Sequence, residues 1–258
     1  SREYVIALLG IWRLGAVHVP LFTAFAPPAI ALRLLGSGAK VVVCDAGQRS
    51  KLFAGEHMPA DAPWRVITTG AVSAEASDDS GDDALAFDTV MAAATSGLAA
   101  AVMGGDAPLI HIYTSGTTGN PKGVIVPIRA LAAFHAYSEF GFDLRADDVF
   151  WCAADPGWAY GLYYTVLTTF LTGTQSLLLE GGFSPEKTYS VMAREGVTNF
   201  AAAPTVYRSL LGSGITPPPL TLRCASSAGE PLTPEVNDWA LTALGVTVHD
   251  HYGQTEAG

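Results

Sequence analysis

The 258-residue chain is short of cysteine, of charge and of long apolar runs. Its three cysteines, Cys44, Cys152 and Cys224, are widely spaced, odd in number and set mostly among apolar residues. That pattern points away from a disulfide framework and toward a reducing, cytoplasmic compartment, with the thiols serving as small core residues. The longest apolar candidate, Trp158 to Leu171, is interrupted by Tyr and Thr and falls short of the roughly 18 residues that a membrane span needs. It reads as a buried helix. The opening stretch Val5 to Trp12 has the look of a short signal segment, but Arg13 follows it and no methionine precedes it, so a helix interrupted by truncation is the expectation. Basic residues are scarce as well: 14 Lys and Arg stand against 24 Asp and Glu, a formal net charge of −10. Nucleic acid and anionic membrane are therefore poor partners, and any affinity for phosphate must come from local groups.

What is present is apolar content, 49% of the chain, enough to bury a large core in one α/β unit or two subdomains. Helical and strand patterns alternate. Arg2 to Leu14 has helical spacing and stops at Gly15, and Val17 to Leu21 resembles a short strand. Pro28 to Leu35 reads as a helix closed by Gly36-Ser37-Gly38, and Lys40 to Cys44 as a near-continuous apolar strand of the kind found inside parallel sheets. The run Glu75 to Asp83 is acidic and polar, marking an insertion at about residues 70–84 that reads as a mobile surface loop followed by an Ala-rich helix. Further on, a helix starting at Pro127, strands near Asp148 to Cys152 and Gln175 to Glu180, and a helix capped by Ser184-Pro185-Glu186 continue the alternation. Thr198 to Ala202, Pro204 to Leu211, Leu222 to Ser226, Thr233 to Leu244 and Val246 to His249 complete it. The expected fold is α/β, with alternating helices and mostly parallel sheets forming layered βα subdomains, one over residues 1–107 and a second over 108–258. In such folds ligands bind where strands run out into loops.

One such loop dominates the sequence. Leu109-Ile110-His111-Ile112-Tyr113 alternates as a strand and feeds Thr114-Ser115-Gly116-Thr117-Thr118-Gly119-Asn120-Pro121-Lys122-Gly123. Glycines 116, 119 and 123 allow backbone angles closed to other residues, so that successive N–H groups can turn toward an anion. Thr114, Ser115, Thr117 and Thr118 add hydroxyls, and Lys122 adds a compact positive charge. The loop is not a Walker A motif, because Lys122 lies between Pro121 and Gly123 instead of between Gly and Ser/Thr.

Thr114 to Gly123 resembles the phosphate loop of the adenylate-forming superfamily of acyl-CoA synthetases, peptide-synthetase adenylation domains and luciferases. Tyr252-Gly253-Gln254-Thr255-Glu256 is similar to that superfamily's second nucleotide motif, Gly229-Glu230-Pro231 to its adenine-flanking turn, and Asp155-Pro156-Gly157-Trp158 to the aromatic motif beside its acyl pocket. The likeness covers most of the chain and leans toward acetyl- and medium-chain acyl-CoA synthetases. It implies ATP, Mg²⁺ and CoA as cofactors and a carboxylic acid as substrate, joined as an acyl-adenylate and then as a thioester with release of AMP and pyrophosphate.

The resemblance also implies roles. Thr114 to Gly119 and Lys122 would hold the β- and γ-phosphates, Thr255 the α-phosphate, and Glu256 the Mg²⁺, so that Lys122, Thr255 and Glu256 are the catalytic candidates. Tyr252 would offer its face to adenine opposite Gly229-Glu230-Pro231, with Asp250, His251, Gly253 and Gln254 bordering the nucleotide. Trp158 and Gly253 would line the acyl pocket. Where acetyl-specific relatives carry a pocket-blocking tryptophan, this chain has Gly253, which implies a medium-chain or aryl acid. His249 and His251 share a strand face, but no third ligand is spaced to complete a metal site. In the family the ribose-binding aspartate and a mobile C-terminal domain with its catalytic lysine lie beyond the Tyr-Gly-Gln-Thr-Glu motif, so the chain reads as a fragment of the large domain with little thioester-forming activity of its own. A non-CoA acceptor, a non-catalytic nucleotide-binding role and homo-oligomerisation stay open.

Overall fold

The computed structural model describes residues 1–53, 57–70, 85–114 and 121–256, which form two compact units, Ser1–Ile128 and Arg129–Gly258. The acidic run Glu75 to Asp83 and Ser115 to Asn120 of the phosphate loop lie outside the described residues. No described helix is long and apolar enough to cross a membrane.

The first unit opens with α1 (Arg2–Arg13), capped by Ser1, whose hydroxyl accepts from the Tyr4 N–H at 3.3 Å. It continues through α2 (Pro27–Ser37), β1 (Val41–Asp45), a 3-10 segment (Ala46–Leu52), β2 (Arg65–Thr69), β3 (Leu85–Ala86) and α3 (Phe87–Ala93). Strands β1, β2 and β3 form a parallel sheet in that order. Val42 and Val66 lie side by side in it and bury against Ile30, Ala31 and Leu34 of α2, with Leu52, Met58 and Trp64 closing the cluster.

The unit ends in an antiparallel hairpin of β4 (Pro108–Thr114) and β5 (Lys122–Pro127). Three expectations are corrected here. Lys122 to Pro127 is strand, and the helix expected to start at Pro127 begins at Ala130 instead: Val124, Ile125 and Val126 are β-branched and pair with Ile112, His111 and Ile110. The strand expected over Val17 to Leu21 shrinks to a single parallel bridge at His18, which donates its N–H to Leu109 and accepts from that of His111. Those bonds, and the hairpin pairing, keep β4 in the first unit, so the units part at Ile128/Arg129 and not at residue 107.

The second unit comprises α4 (Ala130–Phe140), β6 (Val149–Cys152), a π-helical turn (Gly161–Leu167) running into α5 (Thr168–Thr172), β7 (Gln175–Ser176), α6 (Pro185–Glu195), β8 (Asn199–Ala202), α7 (Pro204–Gly212), β9 (Cys224–Ala228), α8 (Pro234–Ala243) and β10 (Val248–His251). The sheet order is β10-β9-β8-β6-β7, parallel throughout. The strand expected over Gln175 to Glu180 is confined to its first two residues. As the sequence implies, Ser184 caps α6 by accepting from the Lys187 N–H at 3.2 Å.

One face of this sheet, carrying Trp151, Phe200, Ala202, Ala225 and Val248, packs on Tyr189, Met192, Tyr207, Leu210, Val236 and Ala240 of α6, α7 and α8. The entire π-helical turn is buried, and its Tyr163 stacks on Phe134 of α4 with ring centroids 4.4 Å apart. At the amino ends of β6, β8 and β9 the chain is tied by a polar latch. Asp148 accepts from the Thr198 hydroxyl at 2.6 Å, from the Arg145 N–H at 2.9 Å and from the Arg223 guanidinium, which also reaches Asp143. Burial alone would raise the Asp148 carboxyl; the bonds from Arg223, Thr198 and Arg145 outweigh it and hold the group below its ordinary value.

Two residues of the first unit make its stability open to test. His18 is buried between the rings of Tyr4 and Trp12, and burial depresses its pKa to about 4. The unfolded chain takes up that proton near pH 6.5, so the stability from neutral His18 is complete above pH 6.5 and is lost as pH falls toward 4, by about 3 kcal/mol in all. Chemical unfolding across this window should show a steeper acid loss in the wild type than in His18→Gln; parallel curves would exclude the assignment. At Gly123 an added Cβ would sit 2.2 Å from His111 Nε2. Gly123→Ala should therefore cost about 1–3 kcal/mol, and His111→Ala should relieve much of that cost in the double variant. Simple additivity would refute the clash.

Candidate functional site

Every motif singled out in the sequence follows the carboxyl end of a strand. Asp155–Trp158 follows β6, Gly229–Pro231 follows β9, Tyr252–Glu256 follows β10, and, in the first unit, the phosphate loop follows β4. Within the parallel sheet of the second unit the carboxyl ends lie at one rim, where backbone groups leave the ladder and side chains can converge on a ligand.

In the first unit Thr114 and Lys122 are direct partners across the β4–β5 hairpin. Opposed residues of an antiparallel pair project to the same face, so the Thr114 hydroxyl and the exposed Lys122 ammonium leave the ladder on one side. The foot of the loop is braced by stacked groups. Tyr113 stacks on His111 with centroids 4.7 Å apart, and the buried Arg33 guanidinium lies 3.9 Å from the Phe25 centroid and 5.8 Å from that of Tyr113. Arg33 also donates to the Ala29 carbonyl at 2.7 Å. Gly123 serves this brace by making room for His111, a steric reason in place of the torsional one expected from the loop pattern. Ser115, Gly116, Thr117, Thr118 and Gly119 lie outside the described residues.

In the second unit the parallel pairing of β9 and β10 places Ala228 beside His251 and so brings Gly229-Glu230-Pro231 next to Tyr252-Gly253-Gln254-Thr255-Glu256. Gly229 has φ +100°, a conformation that few other residues adopt, and an added Cβ would meet nothing within 4 Å. Glu230 pairs with Arg208 of α7, a contact that no local sequence signal reveals. Asp250 accepts from the Leu232 N–H at 3.4 Å, a long bond that still ties β10 to the turn. Tyr252 is 82% exposed, which leaves its ring face open beside that turn.

His251 is half-buried against Phe142 and Tyr137, with centroids 5.1 and 5.6 Å away. Burial and the neighbouring His249 lower its pKa, with Asp250 opposing. A Cβ added at Gly253 would meet nothing within 4 Å, so space lies on that side of the chain.

After β6 the chain turns sharply: the Asp155 carboxylate accepts from the Gly157 N–H at 2.6 Å and its carbonyl from the Trp158 N–H at 3.0 Å. Trp158 stands 44% exposed, so its indole is not a core residue. Burial raises the Asp155 carboxyl against the opposing Gly157 bond. Glu256 is exposed, and its charge reaches the buried Tyr163 phenol, whose pKa is raised first by burial and then by this carboxylate. No group of three or more metal-ligating side chains occurs among the described residues. Glu256 thus offers one hard oxygen, a donor set that suits Mg²⁺ shared with nucleotide phosphates and not a cage made by protein alone.

Arg33 in the first unit and, in the second, Tyr163 and Arg208 meet motif residues far from them in sequence, and no local pattern singles them out.

The model of the AMP-binding enzyme family matches residues 1–258. The chain is 35% identical over 263 residues to the acetyl-coenzyme A synthetase of Bacillus subtilis strain 168, covering 100% of this chain and 44% of that protein. A crystal structure of Brucella canis acyl-CoA synthetase superposes with a TM-score of 0.90 at 45% identity, covering 99% of this chain and 46% of that one. A benzoate CoA ligase from Burkholderia xenovorans LB400 shares the fold, with a TM-score of 0.84 at 23% identity over 98% of this chain and 48% of that one. The chain therefore spans less than half the length of these relatives. Matched along its whole length by the family model, the chain belongs to the AMP-binding enzyme family.

Proposed function

We propose that these residues bind ATP and a medium-chain or aryl carboxylate for an AMP-forming acid–thiol ligase. The observation that carries the reading is the pairing of β9 with β10, which sets the Gly229 turn beside Tyr252–Glu256, together with the open space at Gly253. A carboxylate oxygen attacks the α-phosphorus of ATP, and the bond to the bridging oxygen breaks as its electron pair leaves with pyrophosphate. The CoA sulfur then attacks the acyl carbonyl, its proton is lost to solvent or base, and AMP departs.

The protein's part in the first step is positioning and neutralisation of charge. Lys122 and Thr114 serve the β- and γ-phosphates, with the remainder of the loop, Ser115 to Gly119. Thr255 serves the α-phosphate, and the exposed face of Tyr252 serves adenine. Mg²⁺, held by Glu256 and the phosphates, would supply further neutralisation. Trp158 and Gly253 border the acyl chain, and the glycine leaves volume that acetate does not fill. A soluble, cytoplasmic enzyme of acyl metabolism is the setting this chemistry suits.

The test is thermal unfolding of the chain, and of the natural polypeptide that carries it, with non-hydrolysable acyl-sulfamoyl-adenosines from acetyl to decanoyl and with benzoyl. Each added CH₂ that finds apolar surface should tighten binding roughly fourfold, from about 0.8 kcal/mol per group. Stabilisation should rise with chain length and be lost for the longer members in Gly253→Trp. Best binding by acetyl would reject the larger acid while leaving adenylation in place.

A further inference from the structure

Helix α2 packs on two sides. Ile30, Ala31 and Leu34 turn toward the core of β1 and β2. Arg33 and Gly36, three residues apart, share a second face, and against it stands Tyr113, the residue just ahead of Thr114 at the end of β4. The Arg33 guanidinium lies 5.8 Å from the Tyr113 ring centroid. A Cβ added at Gly36 would sit 2.7 Å from the Tyr113 hydroxyl oxygen and 3.5 Å from its Cζ. Gly36 is helical and has no left-handed torsion, so contact and not backbone calls for glycine there. Glycine inside a helix is disfavoured against alanine, and the Tyr113 contact is made against that local preference. On its other side Tyr113 is stacked by His111, whose ring fills the place of a side chain at Gly123.

Arg33 is an expensive residue to set beside this ring. It is 6% exposed, and burial lowers its pKa, with Tyr113 opposing. Its contacts are the Ala29 carbonyl and the faces of Phe25 and Tyr113, and no carboxylate among the described residues pairs with it. Methionine would cover two aromatic faces without the cost of desolvating a charge, so packing alone does not account for an arginine. Its place in the fold does: Tyr113 pairs with Gly123, and the next pair of the same ladder is Thr114 with Lys122. Whatever holds Tyr113 therefore sets where the Thr114 hydroxyl and the Lys122 ammonium leave the hairpin, and it sets a buried positive charge behind them.

We propose that Arg33 is a positioning residue for the triphosphate: by holding Tyr113 in the notch that Gly36 leaves on α2, it fixes Thr114 and Lys122 where they meet the β- and γ-phosphates. The inference rests on the adenylating reading above and assigns the support of its pyrophosphate end to α2. Displacements of an ångström at binding groups are enough to weaken such a site, because its work is alignment and neutralisation of charge.

The test is calorimetry on the natural polypeptide that carries this chain, with two ligands. Mg²⁺-ATP, without acid or CoA, carries the β- and γ-phosphates; the tightest-binding acyl-sulfamoyl-adenosine of the series above lacks them. Arg33→Met should weaken ATP about 10-fold and the sulfamoyl ligand less than about twofold. Gly36→Ala, which favours the helix yet pushes the Tyr113 hydroxyl away, should show the same selective loss, and Tyr113→Phe in the same chain should restore most of it. The Gly36→Ala series decides the matter if Arg33→Met does not fold. Equal loss of both ligands, which is what a merely structural role produces, overturns the proposal, as does unchanged ATP affinity. Wild-type protein that binds the sulfamoyl ligand but not ATP overturns it too and leaves adenylate binding standing, whereas binding of neither removes the adenylating reading itself.

Discussion

The parallel register of β10, β9, β8 and β6 is the constraint on which the rest of the second unit depends. Because all four strands run the same way, their amino ends and their carboxyl ends are segregated at opposite rims, and the two rims do different work. The amino rim is closed by Asp148, Thr198 and Arg223, each the residue just ahead of β6, β8 or β9, joined in one hydrogen-bonded cluster. Asp148 is almost fully buried, and its charge is tolerable there only because guanidinium, hydroxyl and backbone N–H saturate it. The carboxyl rim is left to the Asp155, Gly229 and Tyr252 turns. A charge cluster that fixes strand order at one end frees the other from the need to be stable by itself.

Much of this is readable from the residues, for identifiable reasons. Helices α2, α6, α7 and α8 carry their own boundary signals in Ser184, in prolines at the first turn and in glycines just past the end. The interior strand β6, Val-Phe-Trp-Cys, reads as an apolar run because both of its faces are covered. Strand β5 escapes such a reading because Pro127 looks like a helix start and Lys122 like part of a loop, although Val124-Ile125-Val126 carries a strand signal. At His18 the local pattern promises more strand than forms, because a short apolar run beside an edge pairs only when a partner of matching length exists. The site divides along the same line. Motif residues that follow strand ends can be placed from local pattern, whereas Arg208 on Glu230, Arg33 over Tyr113 and the Tyr163 phenol near Glu256 are products of tertiary packing.

Three glycines show how one residue type meets three separate demands. Gly229 is set by torsion, since φ +100° excludes most side chains whatever the space around it. Gly123 is set by contact, since its backbone is ordinary and the His111 ring fills the place of a side chain. Gly253 is set by neither: its backbone is unstrained and its surroundings are open, so the fold of the chain alone does not require glycine there. Gly253 is thus a residue that the structure permits to be larger, in a segment beside the Gly229 turn. Gly229 and Gly123 therefore hold the scaffold, while Gly253 is a position where a side chain could be added without disturbing the sheet, which is why the proposed reading gives it the size of the substrate.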